Sequence, residues 1–259
     1  MMIHKTTIQS AFNKAAAHYE TLALFQKQLN ERMQSLLPNM LPSEFYPSRI
    51  LDAGCGTGLG TQYLKTHWSQ AHVIGCDISP NMANEMRHKQ LEVITADIEH
   101  LPFKNHCFNL IWSSLCLQWC HPNHAFKELF RVLSTDGILF FSTLAPGTLK
   151  EIHDAFSGLD KASHTLTFIS KTALEALLSD IGFKKIELIQ ETHQIFYPDI
   201  HAVMKSIKGI GAGNVANRRT TLLGKQAWKT IQERYERSRE VSGLPVTYEV
   251  IIGAMACKS

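Results

Sequence analysis

The stretch that decides the fold runs from Ile50 to Leu64, ILDAGCGTGLGTQYL. A short apolar run ends at Asp52, and glycines follow at 54, 56, 58 and 60. A helix-compatible segment comes next. This order reads as a buried parallel strand, a tight turn and the start of a helix. Glycines at such a turn permit positive φ and let a ligand lie against bare backbone. The helix start adds unpaired N–H groups aimed at the same place.

The spacing departs from the Gly-x-Gly-x-x-Gly fingerprint of dinucleotide sites. Gly58 comes one residue early, and Asp52 stands two places before Gly54. A carboxylate there repels a pyrophosphate and attracts an ammonium. The expected ligand is therefore a nucleoside that carries an amino acid, such as S-adenosylmethionine. Downstream, HVIGCD (72–77) reads as a second strand that ends on Asp77, 25 residues after Asp52. An acid at that place can accept from two ribose hydroxyls. Leu91–Ala96 reads as a third strand, followed by Asp97 and Ile98. That carboxylate can accept from an adenine amine while Ile98 packs on the ring. Three acids at the ends of three successive strands mark the edge of an open α/β sheet where ligands bind.

Composition sets the frame. The 259 residues are 44% hydrophobic and 19% charged, enough for one large core. No run of about 18 apolar residues occurs, so no membrane span is expected. The N-terminal residues lack the apolar stretch of a secretion signal. Six cysteines without a Cys-x-x-Cys pair read as core thiols of a reducing cytoplasm, and no metal is expected. The formal charge of +3 is uneven: residues 201–259 hold ten basic and four acidic side chains. A basic C-terminal part suggests an anionic partner. No aromatic ladder or base-reading motif accompanies it, so nucleic acid is not that partner.

The other elements follow from periodicity. Residues 6–37 read as helix interrupted near Tyr19, and Pro38, Pro42 and Pro47 mark an irregular approach to the first strand. Helices are expected at 59–67, from Pro80 behind the cap Ser79, at 123–133, and at 171–181 with Gly182 as C-cap. Strands are expected at 49–52, 108–113, 186–192 and 246–256, and at 138–143 after a turn at Asp136-Gly137. The chain then divides into a helical preface (1–46), a nucleotide-binding core (47–198), a basic helical insertion (199–243) and a final strand (244–259).

LDAGCGTG, GCDIS, TADIEHLPF, FNLIWSSLCLQW and LFRVLSTDGILFFST together resemble the class I S-adenosylmethionine-dependent methyltransferases. The resemblance implies an α/β, Rossmann-like fold: a seven-stranded, mostly parallel sheet whose last strand is antiparallel. These motifs leave the acceptor open, whether a small carboxylic acid, a quinone-type molecule or something else. A narrower likeness spans nearly the whole chain. FNKAAAHYE (12–20), LCLQWC (115–120), STLAPGTLKEI (142–152), SIKGIGAGN (206–214) and LPVTYEVIIG (244–253) are similar to the malonyl-[acyl-carrier protein] O-methyltransferases of biotin biosynthesis. That likeness implies methylation of the free malonyl carboxylate on acyl carrier protein, in a cytoplasmic monomer without nucleic-acid or membrane partners.

Residue roles follow from this resemblance. Asp52, Gly54, Cys55, Gly56 and Gly58 should surround the methionine end of S-adenosylmethionine. Asp77, Ile78, Met82, Asp97 and Ile98 should hold its ribose and adenine, and Ser114 and Leu115 should face it. Tyr19, Gln118, Trp119 and His121 should position the acceptor, with His18 and Thr148 also within reach. No general base is expected, because the acceptor carboxylate is already ionised at neutral pH. Lys205, Lys208, Arg218 and Arg219 should meet the acidic carrier protein and its phosphopantetheine phosphate.

Overall fold

The computed structural model describes residues 4–159, 166–209 and 224–257. The chain opens with α1 (Lys5–Ala15), a 3₁₀ turn at Ala16–His18, α2 (Tyr19–Leu22) and α3 (Leu24–Met40). Alternation follows: β1 (Arg49–Ala53), α4 (Leu59–His67), β2 (His72–Asp77), α5 (Pro80–His88), β3 (Val93–Thr95) and β4 (Phe108–Ser114). A 3₁₀ turn at Leu117–Trp119 leads to α6 (Pro122–Val132), β5 (Leu133–Leu144), α7 (Lys150–Phe156) and α8 (Lys171–Ile181). The chain continues with β6 (Phe183–Tyr197), α9 (Ile200–Gly209), α10 (Lys225–Glu236) and β7 (Leu244–Cys257).

Among the described residues one seven-stranded sheet forms, in the order β3-β2-β1-β4-β5-β7-β6. β7 is antiparallel to both of its neighbours, and the other pairings are parallel. The chain moves outward from β1 to β3, then returns to the other side of β1 as β4. This reversal opens a crevice at the carboxyl ends of β1 and β4, where open α/β sheets take ligands.

Strand alternation divides the core in two. Ile50, Leu110, Trp112, Phe140, Val250 and Ile252 face α3, α7, α9 and α10. Leu51, Ile111, Leu139, Phe141 and Ile251 face α6 and α8. On the first face Phe25 of α3 stacks on Tyr248 of β7, with centroids 3.7 Å apart.

The preface is tied to the sheet by polar contacts. Gln9 donates to the Ile78 carbonyl at 2.8 Å, and Ser79 Oγ donates to Asn13 Oδ1 at 2.6 Å. Glu20 accepts from Thr57 Oγ1 at 2.8 Å and pairs with Lys89. The preface thus lies over the carboxyl edge of the sheet.

Several expected boundaries move. Pro38 lies inside α3, which runs on to Met40. Proline removes only its own N–H, and Leu41 still donates to Leu37 O at 3.1 Å. Asp136-Gly137 is not a turn before β5 but part of a bulge within it. The register jumps from Phe108↔Leu133 to Leu110↔Ile138, and Asp136 takes φ 62°. β3 is shorter than expected because Leu91 packs against Met86 and Cys55 instead of pairing. β6 is longer because it pairs with β7 along its whole length, from Phe183↔Cys257 to Tyr197↔Leu244. Ser79 and Ser170 cap α5 and α8, and Gly182 ends α8 with φ 118°.

Candidate active site

Two adjoining cavities lie between the preface and the crevice. The first is lined by Lys5, Phe12, Tyr19, Gly54, Gly56, Asp77, Ile78, Met82, Asp97, Ile98, Ser114, Leu115 and Trp119, among others. The second adjoins it, with Tyr19, Gln26, Lys27, Asn30, Asp52, Cys55, Gly56, Trp112 and Ser114 in its walls. Tyr19, Gly54, Gly56 and Ser114 belong to both. Gly54 has φ 80°, and a Cβ there would fall 2.3 Å from Cys116 Sγ. Only glycine fits that turn.

Asp52 is 2% exposed and accepts from Thr61 Oγ1 at 2.6 Å. Burial pushes its carboxyl up to about 7; the Thr61 bond opposes the shift and nearby Asp77 adds to it. An isolated buried acid of this kind is poised to receive a cation. Asp77 accepts from the N–H groups of Gly56 at 2.9 Å and Ser79 at 2.8 Å, which fix its plane toward the first cavity. Burial raises its carboxyl too, against those bonds. Asp97 accepts from Lys5 Nζ at 2.9 Å and from Glu99 N–H at 3.0 Å, both through Oδ1, while its Oδ2 lies 3.9 Å from His100 Nδ1. Ile78, Met82 and Ile98 supply apolar walls between these acids. Leu115 sits at φ 50°, a left-handed conformation rare for leucine, and its N–H is held by Ser142 Oγ at 3.1 Å. Such strain collects at ligand sites.

The fold does not treat the expected residues alike. Cys55 reaches the second cavity, but its side chain packs with Met86 and Leu91. It can offer a ligand only backbone. Gly58 lines neither cavity; its N–H donates to Cys55 O at 2.9 Å and its α-carbon faces Leu91 and Met86. It shapes the turn from behind. The acceptor set is split. Tyr19 roofs both cavities, and burial with Asp77 nearby pushes its hydroxyl above the usual tyrosine range. Trp119 stands at the rim, in edge contact with Phe12 at 5.5 Å, and also borders a third cavity. Gln118 and His121 line only that third cavity. Thr148 is occupied: its hydroxyl donates to Glu249 O at 3.1 Å and accepts from Glu249 N–H at 3.0 Å. It is therefore a buried tie to β7, not an acceptor contact. His18 is exposed and lines none of the three cavities. Lys205 and Lys208 are exposed on α9, while Arg218 and Arg219 fall outside the described residues.

The sequence reading missed Lys5, Phe12, Gln26, Lys27 and Asn30. Asn30 is 3% exposed, and its buried Nδ2 has no partner among the described residues. A signal for it existed: Asn30 interrupts the buried stripe of Met33 and Leu37 at helical spacing. A polar residue on a core-facing stripe needs a reason.

The Methyltransferase domain family matches residues 51–141. The chain is 39% identical to the malonyl-[acyl-carrier protein] O-methyltransferase of Herminiimonas arsenicoxydans, covering 96% of this chain and 95% of that one. The chain belongs to the malonyl-[acyl-carrier protein] O-methyltransferase family. It is also 32% identical to the biotin biosynthesis bifunctional protein BioHC of Cellvibrio japonicus, over 96% of this chain and 49% of that one. Among solved structures, the geranyl diphosphate C-methyltransferase of Streptomyces coelicolor, in complex with S-adenosyl-L-homocysteine, superposes with TM-score 0.54 at 14% identity, covering 88% of this chain and 78% of that one.

The residues present fit S-adenosylmethionine, the methyl donor of this family. The second cavity is lined by a buried acid, Asp52, and by Asn30, whose Nδ2 has no partner among the described residues. An α-amino acid offers an ammonium and a carboxylate to match them. The first cavity offers acids for ribose and adenine with apolar walls between. If Asp52 takes the ammonium it does so as the anion, and affinity for S-adenosylhomocysteine should then fall about tenfold per pH unit below 7. The raised carboxyl also means that Asp52 favours folding only at low pH, a contribution lost as pH rises through 7. Asp52→Asn should therefore raise the melting temperature of the ligand-free protein at pH 8. It should weaken S-adenosylhomocysteine by about 100-fold or more and flatten its pH dependence, as read by calorimetry. Asn30→Leu should weaken S-adenosylhomocysteine about tenfold, leave adenosine affinity unchanged and not lower the melting temperature.

Proposed function

We infer that the chain transfers a methyl group from S-adenosylmethionine to the free carboxylate of malonyl-acyl carrier protein. The product is the malonyl methyl ester that primes pimeloyl synthesis for biotin. The observation that carries this is the family match over 96% of the chain, and a crevice lined by Asp52, Asp77 and Asp97 with apolar walls supports it.

The bound donor supplies an electrophilic methyl group on positively charged sulfur. An acceptor carboxylate oxygen forms the new C–O bond as the C–S bond breaks, and no proton moves. The protein has to place oxygen, methyl and sulfur in line and keep water out, so orientation supplies most of the rate. We assign Asp52 to the α-ammonium and Asn30 to the α-carboxylate. Asp77 takes the ribose and Asp97 the adenine amine, with Ile78, Met82 and Ile98 packed around them. Gly54, Gly56, Ser114 and Leu115 shape the floor beneath the reacting methyl.

Tyr19 is the donor for the malonyl carboxylate, supported by its place above both cavities and by a hydroxyl that keeps its proton. Gln118, Trp119 and His121 complete the acceptor side. A neutral donor suits this chemistry better than an arginine. A strong ion pair would stabilise the charge that methylation removes, raising the barrier.

The helical insertion is read as the carrier-docking module, with Lys205, Lys208, Arg218 and Arg219 facing the acidic partner. The enzyme is proposed to act as a cytoplasmic monomer, without nucleic acid or membrane. Among the described residues no helix is long and apolar enough to cross a membrane. Incubation with S-adenosylmethionine and malonyl-carrier protein should add the mass of one methyl to the carrier species. Acetyl-carrier protein, which lacks the distal carboxylate, should stay unchanged; methylation of both, or of neither, rejects the reading. Changing Lys208 and Arg219 together to Glu should raise KM for malonyl-carrier protein about tenfold. It should leave turnover of a small malonyl thioester nearly unaltered, and an equal loss on both would remove the docking assignment.

A further inference from the structure

Thr61 lies in the first turn of α4 and is 1% exposed. A buried hydroxyl inside a helix ordinarily donates back to the carbonyl four residues earlier. Here that carbonyl, Thr57 O, accepts from Lys89 Nζ at 2.9 Å. The Thr61 hydroxyl donates to Asp52 Oδ2 at 2.6 Å instead. That length is typical of a hydroxyl on a charged oxygen.

The local backbone favours this contact. Gly58 caps α4 at φ 92°, and Gln62 N–H donates to Gly58 O at 2.9 Å. The N–H of Thr61 comes before that bond, among the donors of a helix start that have no partner in the helix and favour a nearby anion. Gly60 lets the turn approach the acid: a Cβ there would fall 3.0 Å from Asp52 Oδ2 and 2.9 Å from Trp112 Nε1. Asp52, Gly60 and Trp112 all line the second cavity.

Other titratable groups surround the acid. Cys76 and Asp77 end β2, Cys55 lies on the glycine turn, and Tyr19, Glu20 and Lys27 reach the second cavity from the preface. Burial pushes the two thiols and the Tyr19 hydroxyl up, so they keep their protons. The bond from Lys89 holds the Glu20 carboxyl down. Burial raises the Asp77 carboxyl. Burial raises the Asp52 carboxyl to about 7, the Thr61 hydroxyl opposes that rise, and Asp77 adds to it.

We propose that Thr61 is the positioning residue for the donor's ammonium: its hydroxyl holds Asp52 Oδ2 and favours the anionic acid over the neutral one. A hydrogen bond to a charged acceptor is roughly twice as strong as one between neutral groups, so losing the hydroxyl costs the anion more. The proposal rests on the assignment of Asp52 to the α-ammonium and adds the residue that sets the pH at which the donor is captured.

Calorimetry on the full chain from about pH 5 to about pH 9 tests this. The ligands are S-adenosylhomocysteine and its deamino analogue, which keeps the carboxylate, ribose and adenine. In wild type, affinity for S-adenosylhomocysteine should rise to a plateau with a midpoint at about 7, and the deamino analogue should lack that step. Thr61→Val keeps the shape, removes the hydroxyl and should move the midpoint up by about one pH unit. S-adenosylhomocysteine then binds about tenfold more weakly than in wild type at about pH 6, and almost equally at about pH 9. Thr61→Ala, a second variant without the hydroxyl, should show the same shift, and Thr61→Ser should restore the wild-type midpoint. A residue that only fills space would tolerate valine, suffer with serine and change affinity equally at every pH. An unmoved midpoint in Thr61→Val or Thr61→Ala overturns the proposal and leaves the ammonium assignment standing. A step shared by the deamino analogue, or no step in wild type, rejects that assignment and the proposal with it. Those two results need no variant, so misfolding of a mutant cannot shelter the proposal.

Discussion

A carboxylate held where water cannot reach it is the constraint on which the rest of the site depends. Asp52 is the penultimate residue of β1 in the middle of the sheet, between two apolar faces, with one hydroxyl bond from Thr61. Its ordinary charge is disfavoured there, and the carboxyl rises to about 7. Such a group destabilises the empty protein and is stabilised by a bound cation. In the proposed complex, that loss in the free state is the source of affinity. The neighbouring turn suits the same proposal: Gly54 and Gly56, both at positive φ, leave bare backbone in the cavity that Asp52 lines.

The preface completes what the sheet leaves open. The crevice between β1 and β4 is a topological consequence of strand order, and by itself it faces solvent. α1 to α3 roof it with Lys5, Phe12, Tyr19, Lys27 and Asn30. The roof is held by Gln9, Asn13 and Glu20 reaching onto β2, α5 and the glycine turn. A reaction that depends on excluding water thus draws on a segment outside the βα alternation. Lys5 shows the coupling most directly, because its ammonium bonds Asp97 and Glu99, two residues on the sheet side of the cleft.

Much of this was legible in the chain. ILDAGCGTG and the acids at 52, 77 and 97 announce a nucleoside site because strand ends and glycine turns are local, and local patterns survive into the fold. Helix caps at Ser79 and Gly182 were readable for the same reason. Pro38 and Asp136-Gly137 misled, since each is a local breaker overruled by pairing or burial of its neighbours. Lys5 was hidden because its partners, Asp97 and Glu99, lie far away in sequence. Thr148 looked like an acceptor contact until β7 folded back and took both sides of its hydroxyl.

The sequence alone determined the nucleotide-type fold, the strand-end acids and the family, because each rests on residues adjacent or periodic in the chain. Tertiary structure alone decided how those parts share the work. It sent the Cys55 side chain into the core, put Gly58 behind the turn, and separated Tyr19 from Gln118 and His121 into different cavities. The reason is that a side chain's direction is set by backbone dihedrals and by the neighbours that packing brings to it. Those neighbours come from remote segments, so no spacing along the chain specifies them.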